Sequence, residues 1–391
     1  MASKAKGKRK FNIKDFFRFT EKGAKLDMPM LIITFILLIY GLIMLYSASY
    51  VVGIYRFSGD SLHYIKDQFI FAIGGSAVML IASKVDYHIY RRYAFGLMIA
   101  VYLMLVIVLF MPEYNGCNRW IYIKGLGTFQ PSEIAKFAVI LVFANMIEKN
   151  YSKMKTFNYG ILPFGVILAT IVFLMIFQPH LSGILIICAI GAIMMFVGGS
   201  DIKWFIGAIL VAVSALVVVL IMYPDLVHYA SSRIENWLHP ELDPKGAGFQ
   251  RYQARLAIGS GGLFGLGLGN GRAKHLFVPE PQNDYIFAIV CEELGFVGGA
   301  MVMVLFIALF LRGIYIATRA KDKFGAMLVI GIVSQIALQA LLNMAVATGT
   351  VPTTGISLPF FSEGGTSLLM IMGEMGIVLS VSRTANLNNG D

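Results

Sequence analysis

Ten apolar runs, each near the length that crosses a bilayer, dominate this 391-residue chain. They occupy residues 28–49, 68–83, 94–111, 133–147, 160–178, 181–199, 204–223, 284–311, 324–346 and 367–382. A hydrocarbon core about 30 Å thick takes about 20 residues of α-helix, and lipid leaves no other partner for the backbone of such a run. Apolar residues make up 58% of the chain and charged residues 14%, against about 45–50% and about 25% in soluble domains. So few charges cannot cover a water-facing surface. The predicted class is therefore an all-α integral membrane protein of ten transmembrane helices. A long outer loop, 224–283, joins helices 7 and 8, and the Pro- and Gly-rich stretch before helix 10 predicts re-entrant backbone. The expected organisation is a basic tail at 1–27, a membrane domain at 28–383 and a short tail at 384–391.

The net charge of +10 raises the question of nucleic acid, and the placement of the cations answers it. With the N-terminus inside, twenty-one of the 32 lysines and arginines fall on the inner side, nine of them before Met28. Positive charge marks the cytoplasmic side of membrane proteins. The basic excess is thus a topology signal, and no nucleic-acid partner is expected. Both termini are predicted to be cytoplasmic. Residues 10–25 interleave Phe11, Ile13, Phe16, Phe17 and Phe19 with cations. This reads equally as a helix lying on anionic lipid or as a solvated tail that fixes topology. The first run has full span length and reads as a retained signal anchor. Cys117, Cys188 and Cys291 form no disulfide framework.

No Walker A motif and no zinc-spaced Cys/His cluster is present. The chemistry-bearing residues gather on the outer side instead. Arg119 precedes Gln130-Pro131-Ser132-Glu133, a helix start in which Glu133 and Lys136 share one face. In the long loop, Arg251 and Arg255 lie on a short interfacial helix, and residues 259–271 hold seven glycines in thirteen positions. Arg272, Lys274, Glu280 and Asp284 follow. Cations beside carboxylates at a lipid boundary suit a phosphate-bearing substrate, with a carboxylate to take a proton from an attacking hydroxyl. Partial desolvation raises a carboxyl toward a useful base, although Asp284 reads equally as a helix N-cap. Glu292 and Glu293 read as structural, and Glu363 points into a cavity or into solvent. A divalent cation shared by Asp284 or Glu280 is one option, and no residue pattern selects a metal.

These blocks resemble the SEDS family (shape, elongation, division and sporulation), which includes FtsW, RodA and SpoVE. The likeness runs from Tyr46-Ser47-Ala48-Ser49 to Val381-Ser382-Arg383. It rests on Arg119-Trp120-Ile121, Gln130-Pro131-Ser132-Glu133, Gly248-Phe249-Gln250, Gly259-Ser260-Gly261-Gly262-Leu263, residues 279–288, Glu292-Glu293-Leu294-Gly295 and residues 352–369, which contain Ser362 and Glu363. The region around Gly267 and Lys274 is more similar to the FtsW/SpoVE branch. The resemblance implies an inverting peptidoglycan glycosyltransferase that polymerises lipid II on the outer face, with undecaprenyl-diphosphate-linked glycan as its other substrate. It implies Asp284 as general base and a class B penicillin-binding protein transpeptidase as partner. Arg119, Glu133, Lys136, Arg251, Arg255, Arg272, Lys274, Glu280, Ser362 and Glu363 are the candidate substrate contacts. His180, and Glu363 where the family often has Tyr, depart from the pattern. The residues themselves leave open a lipid II flippase and a membrane scaffold that recruits a transpeptidase.

Overall fold

The computed structural model describes residues 26–112, 119–123, 127–178, 180–210, 248–275 and 277–385, with 214, 235, 237 and 238. The expectations for the basic tail, residues 115–118, Lys124, residues 224–234 and 239–247 of the outer loop, and most of the seventh run lie outside the described residues. Eleven helices are numbered here in chain order. They are α1 (Met28–Arg56), α2 (His63–Ala82), α3 (His88–Val108), α4 (Pro131–Asn150), α5 (Phe157–Gly160) and α6 (Leu162–Ile176). Then follow α7 (Leu181–Val197), α8 (Phe249–Gly261), α9 (Ile286–Thr318), α10 (Lys323–Ala347) and α11 (Gly365–Thr384). Residues 202–210 are also helical.

Six of these helices, α1, α2, α3, α9, α10 and α11, are long and apolar enough to cross a membrane. The chain is a multi-pass helical membrane protein. α6 and α7 are apolar but shorter, at 15 and 17 residues. α4 has 20 residues and carries Glu133, Lys136, Glu148 and Lys149. α9 starts at Ile286, so Asp284 lies in the turn before the span, two residues outside it.

The all-α expectation misses one element. Ile121–Ile123 (β1) and Gly127–Phe129 (β2) pair antiparallel, with Ile121 opposite Phe129. Ile and Tyr favour strands, but three residues are too few to display a period of two.

The sequence accounts for the helix starts. Asp27 caps α1 by accepting from Met30 N at 2.9 Å, and Asp322 caps α10 by accepting from Gly325 N at 2.8 Å. Pro29 and Pro131 occupy first turns, where a missing N–H costs nothing. Along α1, Ile32, Ile36, Ile39 and Ile43 are exposed at steps of four, three and four, the stripe a helix offers to lipid. Leu37, Leu38, Met44, Leu45 and Ala48 point inward. α10 is enclosed between α9, α4 and α7, and α11 packs on α2.

A three-part clasp closes one end of the bundle. Arg312 on α9 grips both carboxylate oxygens of Asp27, with Nη2 at 2.6 Å from Oδ2, and Asp27 N donates to Ser382 Oγ on α11 at 3.3 Å.

The opposite end is shaped by a break in α9. Gly295 adopts φ 67°, ψ −164°, a region open only to glycine. The break lets the glycine-rich loop dock edge-on. Leu266 N donates to Glu292 O at 3.0 Å, Gly267 N to Glu293 O at 2.9 Å and Phe296 N to Gly262 O at 2.8 Å. A Cβ on Gly295 would stand 2.4 Å from Gly265 N. Gly295→Ala is therefore expected to combine backbone strain of about 1–3 kcal/mol with a backbone clash. A clear fall in detergent melting temperature checks this; an unchanged one would show that the loop adapts.

Candidate functional site

The loop beneath the break is held by Glu292 and Glu293, as their structural reading expects, together with Lys274, which was expected at the substrate. Glu292 accepts from Arg272 N at 2.8 Å and from Ala273 N at 3.1 Å. Glu293 accepts from Gly269 N at 3.0 Å, from Ser47 Oγ at 2.6 Å and from Lys274 Nζ at 2.5 Å. Lys274 and Glu293 are both fully buried. Lys274 also donates to Ser47 Oγ at 3.2 Å and lies 4.8 Å from the Tyr50 ring centre. Its ammonium is spent on a closed network, so the expectation that it contacts a diphosphate does not fit this geometry. The same holds for Lys136, which is 3% exposed and pairs with Glu133 at 2.7 Å. Glu133 in turn accepts from Ser367 Oγ at 3.3 Å.

The remaining candidates, Arg272 apart, fall around the turn before α9 and the non-helical strap at 348–364. Asn343, on α10, donates through Nδ2 to Asp284 O at 2.8 Å and to Ile356 O at 2.7 Å. One amide thus ties the Asp284 turn to the strap. Ser362 donates to Asn283 O at 2.7 Å and accepts from Leu358 N at 2.7 Å, and Glu363 N donates to Gln282 O at 3.0 Å. Ser362 therefore builds the turn and is 6% exposed. Arg251 and Arg255, on α8, reach the same strap. Arg251 Nη2 donates to Thr353 Oγ1 at 3.4 Å and Arg255 Nη2 to Gly349 O at 3.3 Å. Arg272 is exposed. The strap's far edge meets α7, where Ser182 Oγ donates to Thr354 O. Beside it, Arg119 Nε donates to Gln178 O at 2.9 Å, and His180 Nδ1 lies 3.3 Å from Gln130 Nε2. Burial, Arg119 and Lys136 together hold the His180 imidazole down to about 4, so it is neutral at pH 7.

Among the described residues, Asp284 differs from its neighbours in having a carboxylate that accepts no hydrogen bond. Glu280 pairs with Arg56 at 3.5 Å, and Glu133, Glu292 and Glu293 are engaged as above. Burial, with Glu280 adding its repulsion, pushes Asp284 up to about 6. Burial also raises Glu363 to about 7, with Glu280 and Asp67 contributing. Glu280 itself sits at φ 47°, a strained setting for a non-glycine residue. Among the described residues, no three His, Cys, Asp or Glu side chains cluster as metal ligands.

Two participants escaped sequence reasoning. Gln68 on α2 bonds Ser362 O at 3.3 Å and Gly364 N at 3.2 Å, closing the turn from the other side. Its signal was present as a buried amide within an otherwise apolar run. Arg56, at the end of α1, reaches Glu280 only in three dimensions. Nearby, α1 and α2 enclose an apolar groove of about 570 Å³ lined by Ile39, Ile43, Tyr46, Tyr50, Phe69 and Leu268.

A polytopic helical bundle that holds an unpartnered carboxylate in a clamped turn defines the class: a multi-pass membrane protein with a candidate catalytic carboxylate at one end of its bundle. The chain belongs to the FtsW/RodA/SpoVE family, whose profile, described as "Cell cycle protein", matches residues 28–387. Stage V sporulation protein E of Bacillus subtilis (strain 168) is 40% identical over 371 residues, covering 93% of this chain and 99% of that protein. The "Probable peptidoglycan glycosyltransferase FtsW" of Geobacter metallireducens is 37% identical over 377 residues, covering 95% and 97%. Two solved structures share the fold. One, described as "Structural coordination of polymerization and crosslinking by a peptidoglycan synthase complex", superposes with a TM-score of 0.75 at 24% identity, covering 92% of this chain and 98% of that one. The rod shape determining protein RodA of Thermus thermophilus gives 0.68 at 23% identity, covering 94% and 99%.

Proposed function

We propose that this chain is a peptidoglycan glycosyltransferase that polymerises lipid II into β-1,4 glycan on the outer face of the bacterial cytoplasmic membrane. The observation that carries the reading is the Asp284 carboxylate, unpartnered, half-buried and shifted upward, in a turn clamped by Asn343 and Ser362. A base needs a free lone pair and a pKa near the working pH. Asp284 accepts the proton of the acceptor sugar's C4 hydroxyl as that oxygen attacks C1 of the donor. The donor's diphosphate leaves on the opposite face, so the anomeric centre inverts. Arg251, Arg255 and Arg119 border the strap and, with the exposed Arg272, balance the departing charge. Lys274, Lys136 and Ser362 shape the site, and Glu280 and Glu363 tune its field. The groove between α1 and α2 suits a polyprenyl chain.

The wider architecture follows the same reading. Ten spans with both termini cytoplasmic place the strap and the Asp284 turn outside, between a basic tail at 1–27 and a short tail at 384–391. A class B penicillin-binding protein is the proposed partner, because a growing strand needs a cross-linking activity beside it. The family and the relatives' names place the role in division, sporulation or shape. A flippase would need polar groups lining a route through the full membrane depth for its headgroup, whereas the unpartnered carboxylate sits at one end of the bundle.

The test is purified protein with its transpeptidase partner, given lipid II in detergent. Glycan polymer is the expected product, and headgroup transfer across sealed vesicles without polymer would favour a flippase. Because Asp284 must be deprotonated to accept a proton, kcat/KM should be full above pH 7. It should fall about tenfold for each pH unit below about 6. A profile flat from pH 5 to 7 would remove Asp284 as the base.

A further inference from the structure

At the other end of α4 from Glu133 lies a cleft unrelated to the chemistry above. It has a volume of about 420 Å³ and is lined by His88, Arg91, Arg92 and Phe95 of α3 and by Asn145 and Lys149 of α4. Asn145 and Glu133 are twelve residues apart on one helix, about 18 Å along its axis. The cleft therefore sits in the headgroup layer of the opposite leaflet, the side to which the cation asymmetry assigns the cytoplasm.

The charges do not cancel. Arg91 is paired with Glu148 at 2.6 Å, and His88 with Asp86 at 2.7 Å and Asp322 at 3.1 Å. Arg92 is exposed, and Lys149 stacks over the Phe95 ring at 5.8 Å. That leaves two cations, Arg92 and Lys149, at the mouth. Asn145 is 2% exposed and its Oδ1 has no hydrogen-bond partner, an unmet acceptor in the cleft wall. A buried acceptor without a donor is destabilising unless a ligand supplies one. Phe95 and the flanks of α3 and α4 offer an apolar wall that continues toward the acyl layer; Ile99 and Leu103 on α3 are exposed along it. Basic pockets between helices on the cytoplasmic side bind anionic headgroups.

We propose that this cleft binds an anionic phospholipid whose headgroup carries a free hydroxyl, of the phosphatidylglycerol type. The phosphodiester sits between Arg92 and Lys149, the headgroup hydroxyl donates to Asn145 Oδ1, and the acyl chains run along Phe95, Ile99 and Leu103. Binding ties α3 to α4 and so stiffens the cytoplasmic half of the bundle. The proposal does not depend on the glycosyltransferase reading.

The full chain in neutral detergent tests it by lipid titration, read as melting-temperature shift and as bound lipid by native mass spectrometry. Phosphatidylglycerol is expected to bind and stabilise, phosphatidylcholine not. Each cation near an anionic surface contributes about a factor of five, so Arg92→Gln with Lys149→Gln should weaken phosphatidylglycerol binding about thirtyfold. Both residues lie at the mouth, so the variant should fold. Phosphatidylethanol has the same charge and no hydroxyl, and wild type should bind it several-fold more weakly than phosphatidylglycerol. Asn145→Leu should erase that difference; if it fails to fold, the phosphatidylethanol comparison on wild type still decides the hydroxyl contact. Equal binding of phosphatidylcholine, or an R92Q/K149Q variant that binds phosphatidylglycerol as wild type does, overturns the site. Displacement of the lipid by millimolar glycerol phosphate or inorganic phosphate overturns the lipid assignment in favour of a soluble phosphate.

Discussion

Asp284→Asn should leave a folded, partner-competent protein that polymerises lipid II at least about a thousandfold more slowly, within the range a general base supplies. Asparagine keeps the shape, and the Asn343 bond to the Asp284 carbonyl is retained because it uses main chain. The second half of the expectation concerns stability. The wild-type carboxyl is pushed up to about 6 in the folded protein, so its ionisation is disfavoured there relative to the unfolded chain. At pH above that value the folded state carries a charge at a cost, and a neutral amide removes the cost. Melting temperature at pH 7.5 should therefore stay level or rise as activity collapses. Loss of activity with loss of fold would say nothing about catalysis; undiminished polymer would sink the assignment. Opposite movements of stability and activity are what a catalytic group held in a desolvated setting produces.

Lys274→Met should act in the contrary sense, on structure first. It leaves Glu293 buried among Ser47 Oγ and the Gly269 amide without its counter-charge. Removing one partner of a buried pair typically costs about 3–5 kcal/mol. Loss of that size should be plain in detergent melting and in proteolysis of the glycine-rich loop. Adding Glu293→Gln neutralises the survivor, and the double variant should recover most of the lost stability. The two variants also separate the competing roles of this lysine. If Lys274 contacted a diphosphate, the double variant would fold and still bind lipid II poorly. If it serves the loop, affinity returns with the fold.

The membrane class and the positions of the six long apolar helices were readable in the sequence. Hydropathy at span length is a local signal, and Ile32, Ile36, Ile39 and Ile43 carry it within one helix. The Glu292-Glu293 pair was correctly read as structural, because two carboxylates deep in a span must find donors. What the sequence hid was the pairing of charges. Lys274, 19 residues before Glu293, shows nothing in its own neighbourhood to mark it as buried. Arg272 and Lys274 look alike in sequence, and one is exposed while the other is 0% exposed. The hairpin at 121–129 was hidden by its shortness, and the part of Gln68 by the distance to Ser362, 294 residues on. Resemblance to a known family supplied the role of Asp284, where spacing left the N-cap reading equally open; the structure starts the helix beyond it, at Ile286.

The clasp of Asp27, Arg312 and Ser382 sets an order of events during synthesis. Asp27 caps α1, the first of the described spans, yet its partners lie 285 and 355 residues downstream. At about 10 residues per second, Arg312 leaves the ribosome roughly half a minute after Asp27. Until then the Asp27 carboxylate answers only the Met30 amide of its own helix. The bundle can lock only after its last helix arrives, so insertion and assembly are separate stages. In that interval the face of α1 that α9 later covers is open to lipid or to another protein.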